Sequence, residues 1–330
     1  MNAGEFKLGI LGCGRWGINH VKTAHQLFGK ELILVSDPAT EACGRVKRIS
    51  ESIAFTTKAD GVINHPEINA VIAATPAETH YAVARKLLES GKNVLVEKPI
   101  TLHPSEAEEL IRIAERKRLK LMVGHVLLYH PAVLKLKELV KGGKIGRLQY
   151  LYSNRLNFGT VRTEENILWS FAPHDISIIQ LLTESNPVRV EARGASFLQS
   201  NIEDSTVTYL SYPGNVHAHI FVSWLHPFKE QRLVVIGDRG MMVFEDSAPR
   251  DKLKFYPKRF DNVNGTIQKF DGEFEVIPHD DKQPLAEEQC HFMKCVTENL
   301  TPLTDGKHAL EVLEILDKAG KNLKEMRNGK

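Results

Sequence analysis

The sequence predicts two domains of different class. The first is an α/β N-terminal domain on a parallel sheet, residues 1–125, and the second an α+β domain with a predominantly antiparallel open sheet, residues 126–330. Three observations predict this. The chain has 330 residues, and roughly 150 residues make a domain. Its first third alternates short apolar runs with helix-spaced stretches, the pattern of right-handed β-α-β units. After Leu148, strand-like runs follow one another across short turns, which suits antiparallel pairing.

In the first domain, Lys7–Leu11 is strand-like and opens into a glycine loop, followed by a helix over Ile18–Phe28. Leu32–Ser36, Ala70–Ala74, Asn93–Val96 and Leu121–Val123 are further strands. Helices are expected over Ala77–Glu89 and after Ser105, which with Glu108 reads as a capping box. The domain switch falls between Val123 and Gln149. Beyond it, a helix over Pro131–Val140 precedes strands at Leu148–Tyr152, Val188–Ala192, Thr206–Tyr212, Val216–Trp224, Arg232–Ile236, Met241–Glu245 and Leu253–Tyr256. Alternation in the fourth of these puts Ala218, Ile220, Val222 and Trp224 on one face. A helix over His174–Leu182 follows Pro173. Helices over Ala286–Val296 and Lys307–Leu323 end the chain, the last able to pack back on the first domain.

Lys plus Arg number 43 and Asp plus Glu 41, a net charge of +2, which gives no reason to expect nucleic acid. The apolar stretch Leu121–Leu134 contains His125, His130 and Pro131 and is shorter than the ~20 residues of a membrane span. The N-terminal apolar run ends in glycines, unlike a cleaved leader. Cys13, Cys43, Cys290 and Cys295 form no metal-binding spacing, so no metal is expected, and they read as reduced thiols of a cytoplasmic protein.

Gly12-Cys13-Gly14-Arg15-Trp16-Gly17 matches G-x-G-x-x-G between a strand and a helix. There the first glycine makes the tight turn, the second admits a diphosphate and the third packs helix on sheet, as in a Rossmann domain. The free N–H groups of the helix start favour phosphate. Asp37 ends the second strand 20 residues past Gly17, placed to accept the adenosine ribose hydroxyls and to disfavour a 2′-phosphate. The cofactor expected is therefore NAD rather than NADP. Lys98, in Glu97-Lys98-Pro99, ends a parallel strand, where open α/β sheets bind ligands.

Taken together, GCGRWG, AATP (Ala73–Pro76), His80, VLVEKP (Val94–Pro99) and GHV (Gly124–Val126) resemble, in that order, the Gfo/Idh/MocA oxidoreductases. LYHPAVLKLKELV and the final PLAEEQCHFMKCV…TPLTDGKHALEVLEIL extend the resemblance over nearly the whole chain. It implies that Lys98 lies near the nicotinamide and touches the hydroxyl to be oxidised. It implies too that Thr75, Pro76, His80, Glu97 and His125 line the cofactor site, and that the second domain's sheet covers the substrate and carries oligomer contacts, in a homodimer or homotetramer. His174 matches the family histidine. The Asp four residues before it in many members is Ser170 here, and Asp175, adjacent to His174, cannot share its helix face.

The chemistry implied is alcohol dehydrogenation, with either Lys98 or His174 taking the O–H proton. Arg155 and Asn157, alternating with Leu156, and Arg162 suit a substrate carrying phosphate or many hydroxyls, Trp169 could stack on a sugar or base, and Asp175 is the fifth candidate substrate contact. The segment from Asn154 to Ile179 resembles nucleotide-sugar dehydrogenases of the UDP-N-acetylglucosamine 3-dehydrogenase type, which serve lipid A or surface-polysaccharide (lipopolysaccharide) assembly. The expected partner is then a UDP-sugar, with neither nucleic acid nor membrane involved. A free sugar or inositol dehydrogenase, and a non-catalytic NAD-binding regulator, are the alternatives.

Overall fold

A computed structural model describes residues 6–328. The chain divides into two compact units, Met1–Tyr129 with Lys282–Leu313, and His130–Asp281 with Glu314–Lys330.

The first unit runs β1 (Leu8–Leu11), α1 (Gly17–Phe28), β2 (Leu32–Ser36), α2 (Ala42–Lys47), β3 (Phe55–Thr56), α3 (Ala59–Ile63), β4 (Ala70–Ala73), α4 (His80–Glu89), β5 (Asn93–Glu97), α5 (Pro104–Lys117) and β6 (Leu121–Gly124). The strands form one parallel sheet in the order β3-β2-β1-β4-β5-β6. Strand order reverses between β1 and β4, so the loop after β1 opens at the topological switch point, where such sheets take ligands. Leu8, Ile10, Ile72 and Leu95 are wholly buried, as both-face coverage of a parallel sheet requires. The expected capping box at Ser105 does not form. His103 is extended, makes no side-chain cap, and Pro104 takes the first helical position. A proline there loses only an N–H that would have no helical partner.

The second unit runs α6 (Pro131–Lys141), β7 (Leu148–Phe158), α7 (Ile167–Thr183), β8 (Arg189–Ala195), β9 (Ser205–Tyr212), β10 (Val216–Ser223), β11 (Leu225–Gly237), β12 (Met241–Glu245), β13 (Leu253–Tyr256), β14 (Lys258–Val263), β15 (Thr266–Asp271) and β16 (Glu275–Val276). Eight strands form one sheet, β16-β13-β12-β11-β7-β10-β9-β8, and β14 pairs with β15 alone across the positive-φ turn Asn264-Gly265. All pairs are antiparallel except β7 with β10. One face of the sheet buries Ala218, Ile220, Val222 and Trp224, the residues picked out by alternation, and α7 packs on β7, β9 and β10. The other face carries a ladder of rings, with Tyr152 stacked on His219 at 5.4 Å and Tyr209 on His217 at 5.7 Å.

Helix α7 starts at Ile167, seven residues before the predicted start, and runs through Pro173. Asn166 caps it by accepting the Trp169 N–H at 3.2 Å. The proline forfeits one helical hydrogen bond, but Leu168, Ala172, Ile176 and Ile179 are buried on either side of it and hold the helix down.

The chain ends with α8 (Pro284–Thr297) and α9 (Gly306–Asn328). Helix α8 belongs to the first unit. Its Phe292 is wholly buried and meets Phe6 edge-on at 6.3 Å, while Phe6 meets Phe28 of α1 at 5.1 Å. Helix α9 begins in the first unit and ends in the second. All four cysteines are free. Among the described residues no helix is long and apolar enough to cross a membrane.

Trp224 ties the end of β10 to the β8–β9 connection. Its indole Nε1 donates to Asp204 Oδ1 at 2.5 Å, and Asp204 Oδ2 accepts the N–H groups of Phe197 and Leu198 at 2.6 and 2.8 Å. Trp224→Phe keeps most of the buried ring but leaves a wholly buried carboxylate oxygen without its donor. We expect a loss of about 1–3 kcal/mol in urea denaturation, with an unchanged slope.

Candidate cofactor and catalytic site

The loop after β1 is shaped by close backbone approach. Gly12 has φ +92°, and a Cβ there would lie 2.4 Å from the Ala74 carbonyl oxygen. A Cβ on Gly17 would lie 2.2 Å from the Gly12 carbonyl oxygen. A Cβ on Gly14 would meet nothing within 4 Å, and Gly14, Arg15 and Trp16 are all exposed. Open backbone therefore faces outward just where α1 presents its first N–H groups, which a helix leaves unpartnered. Asp37 follows β2 directly. Its Oδ2 accepts the Cys13 N–H at 2.6 Å and its Oδ1 the Ala39 N–H at 2.9 Å, which hold the carboxylate at the strand end. Arg45 of α2 donates to the Cys13 carbonyl at 3.3 Å, a cation beside the loop that no sequence motif announces. Burial, and then the Asp37 charge, push the Cys13 thiol up to about 12, so it stays protonated and unreactive.

The strand ends next to this loop carry the remaining predicted residues of the first unit. The Lys98–Pro99 peptide is cis, with Lys98 half-buried after Glu97. His80 is buried between two backbone carbonyls, its Nε2 2.9 Å from Thr75 O and its Nδ1 2.6 Å from Pro99 O. It ties the Thr75-Pro76 loop to the Lys98 turn through atoms that are thereby occupied. The Thr75 hydroxyl accepts from Thr79 at 2.8 Å, and Pro76 is exposed. Glu97 is likewise engaged. Its Oε1 accepts from Trp16 Nε1 and from His20 Nε2, each at 2.7 Å, and its Oε2 from the Lys98 N–H at 3.1 Å. Burial would raise the Glu97 pKa, but the bond and charge of His20, with Trp16 and Lys98, hold it below the usual carboxylate value. His125 follows β6, buried, with neither ring nitrogen hydrogen-bonded and its ring edge-on to His308 at 5.3 Å. Burial, then His308 and Lys98, push it well below the ordinary histidine value, so it is a neutral imidazole. The open Gly14 backbone, the fixed acid after β2 and the orphaned His125 nitrogens together fit a dinucleotide with an amide-bearing ring. His20, Gln289 and Glu288, which surround Glu97, were not foreseen; only the helical spacing of His20 from Gly17 hints at any of them.

In the second unit α7 carries Ser170, buried, and His174, half-buried, four residues apart on one helix face. Asp175 faces elsewhere. Arg155 donates to it through Nε at 2.7 Å and Nη2 at 3.2 Å, and the Ser153 hydroxyl donates at 2.5 Å. Arg155 and Asp175 are only 7% and 3% exposed, so they satisfy each other inside the fold. Asn157 is half-buried at the end of β7. Arg162 pairs with Glu165 at 3.8 Å, and Trp169 is half-buried with its indole nitrogen over Gly320.

Residues 6–125 match the model described as the oxidoreductase family with an NAD-binding Rossmann fold, and residues 133–243 match the GFO/IDH/MocA C-terminal domain. The chain is 30% identical over 203 residues to the UDP-N-acetylglucosamine 3-dehydrogenase of Acidithiobacillus ferrooxidans, an alignment covering 61% of this chain and 62% of that one. The match thus spans about three fifths of that relative's length. It is 25% identical over 331 residues to the NAD(+)-dependent scyllo-inositol 2-dehydrogenase of Bacillus subtilis, covering 94% and 92% of the two chains. A solved structure of the Acidithiobacillus enzyme shares the fold at a TM-score of 0.82 and 22% identity, over 97% of this chain and 98% of that one. The chain belongs to the Gfo/Idh/MocA oxidoreductase family, and its cofactor is NAD.

Two predictions follow from this geometry. Arg155→Met leaves the buried Asp175 charge unpaired and should destabilise the protein by about 3–5 kcal/mol in denaturant titration, well beyond any change in substrate affinity. Asp37→Ser removes the anion after β2 and should raise affinity for NADP relative to NAD by roughly tenfold or more, read by calorimetry without substrate.

Proposed function

From membership of this family, we propose that the protein oxidises a ring hydroxyl of a nucleotide sugar, with UDP-N-acetylglucosamine going to its 3-keto form in lipid A or surface-polysaccharide assembly. The observation that carries the substrate is the 30% identity to a UDP-N-acetylglucosamine 3-dehydrogenase. The glycine loop residues Gly12, Gly14, Arg15, Trp16 and Gly17 hold the diphosphate and Asp37 the adenosine ribose. Thr75, Pro76 and His125 face the nicotinamide end; His80 supports them through the Thr75 carbonyl, and Glu97 supports the glycine loop and the Lys98 turn through Trp16, His20 and the Lys98 N–H.

Bound NAD supplies the hydride acceptor, so the chain's own task is the hydroxyl proton. Lys98 and His174 are its two candidates, one as base and the other polarising the oxygen. A positioned base of this kind contributes about 10²–10⁴ in rate. Asn157, Arg162 and Trp169 are the polar and stacking contacts proposed for the substrate. Arg155 and Asp175 serve it indirectly, by fixing β7 against α7. The ring ladder on the second unit's open sheet face supports a homodimer or homotetramer, and four free thiols support a cytoplasmic setting. A free inositol or sugar is the second reading, favoured by the scyllo-inositol relative whose alignment spans 94% of this chain.

The test is growth of reduced-nicotinamide absorbance with NAD and a panel of UDP-sugars, free sugars and inositols, with a ketone trap present. We expect signal with UDP-N-acetylglucosamine; signal with a free polyol alone would replace the substrate. Lys98→Met should lower turnover by roughly 10²-fold or more while leaving NAD affinity nearly unchanged. Undiminished turnover in that variant would remove Lys98 from the chemistry.

A further inference from the structure

Beneath the Lys98 turn lies a second buried carboxylate. Glu288 projects from α8 and is wholly buried, and no hydrogen-bond donor reaches either of its oxygens. One ligand atom from each of Glu288, Glu97 and His20 lies within 4.8 Å of the others. Two carboxylates so close and so dry cannot both be charged. The donors decide which one is. Glu97 has three, from Trp16, His20 and the Lys98 amide, and Glu288 has none.

A bound metal ion would fit the residue types but not their hydrogens. Gln289 Nε2 donates to the His20 carbonyl at 3.2 Å and approaches His20 Nδ1 at 3.0 Å, which leaves Nε2 as the nitrogen carrying hydrogen to Glu97. The imidazole lone pair a metal would need is therefore turned away from the carboxylates. The wall on the β6 side is equally closed, because a Cβ on Gly124 would lie 2.9 Å from Glu97 Oε1.

We propose that Glu97 and Glu288 share a single proton, carried by Glu288, whose O–H donates to the Glu97 carboxylate. Glu288 is then a positioning residue. It completes the set of donors that fixes Glu97, and through Glu97 the Trp16 indole on the cofactor loop and the backbone of Lys98. Burial first, and the Glu97 charge second, push the Glu288 carboxyl well above the ordinary range, in agreement. The other titratable neighbours are His20 on α1, Lys98 after β5 and Tyr129 after β6.

The functional importance of this proton rests on the NAD-dependent reading above; its existence does not. The experiment therefore uses the full chain without sugar substrate. The infrared spectrum at about pH 8, far above the ordinary glutamate value of about 4.3, should retain the carbonyl band of a protonated carboxylic acid, and Glu288→Gln should abolish it. Glu288→Gln keeps a neutral donor and should bind NAD by calorimetry within about twofold of the parent. Glu288→Ala removes the donor and should weaken NAD binding by roughly tenfold to a hundredfold. Absence of the band in the parent protein overturns the proposal, as does stoichiometric zinc or another transition metal lost in Glu288→Gln. Parent-like NAD affinity in Glu288→Ala overturns the positioning role. If Glu288→Ala does not fold, the band and the Glu288→Gln affinity still decide. Failure to oxidise any sugar would count against the proposed substrate and leave these readouts intact.

Discussion

The Glu97 carboxylate gathers the first unit's site around one charge. A carboxylate removed from water is costly unless it is surrounded by donors, and here they come from separate elements. Trp16 and His20 reach it from the loop and helix after β1, and the Lys98 amide reaches it from its own turn. Gly124 on β6 leaves room for it, since any larger residue would collide with its oxygens. The glycine loop and the lysine turn are far apart in sequence, yet both are held by the same two oxygens. A change at any of these positions reaches the others through that charge, which is why the Glu-Lys-Pro stretch reads as a unit and not as a lysine with bystanders.

The parallel sheet, its strand ends and the glycine loop were legible because period, turn residues and motif spacing all act over a few residues. The open antiparallel sheet was legible for the same reason, down to the face that buries Ala218, Ile220, Val222 and Trp224. What escaped depended on tertiary context. Pro173 suggested a helix start, but the capped first turn and buried neighbours carry α7 through it. Ser105 and Glu108 have the capping-box spacing, yet Pro104 had already opened the helix. Arg155 and Asp175 showed polar chemistry at suitable places, but no local pattern tells that they meet each other across β7 and α7. His20 and Glu288 are separated by most of the chain, so nothing short of the fold brings them to Glu97.

The two units solve the burial of charge differently. In the second, Arg155 and Asp175 neutralise each other with a fork of two donor nitrogens, and the pair gives β7 a fixed registry against α7. In the first, the Glu97 charge is met by donors from three separate segments, the Trp16 indole, the His20 ring and the Lys98 N–H. The Arg155–Asp175 pair is buried and inward-looking, whereas Glu97 lies against both the glycine loop and the Lys98 turn.

The return of α8 to the first unit has a consequence for how the protein is made. The N-terminal sheet is complete by β6, but Phe6 still lacks Phe292, and His20 still lacks Gln289. These partners leave the ribosome only after all the strands of the second unit. With synthesis at about 5–20 residues per second, the glycine-loop domain waits many seconds with an uncovered flank. The usual order of domain maturation is thereby inverted in its last step. The first domain to begin folding is closed by the penultimate helix, so a chain interrupted anywhere before α8 carries its nucleotide-binding motif without the helix that finishes it.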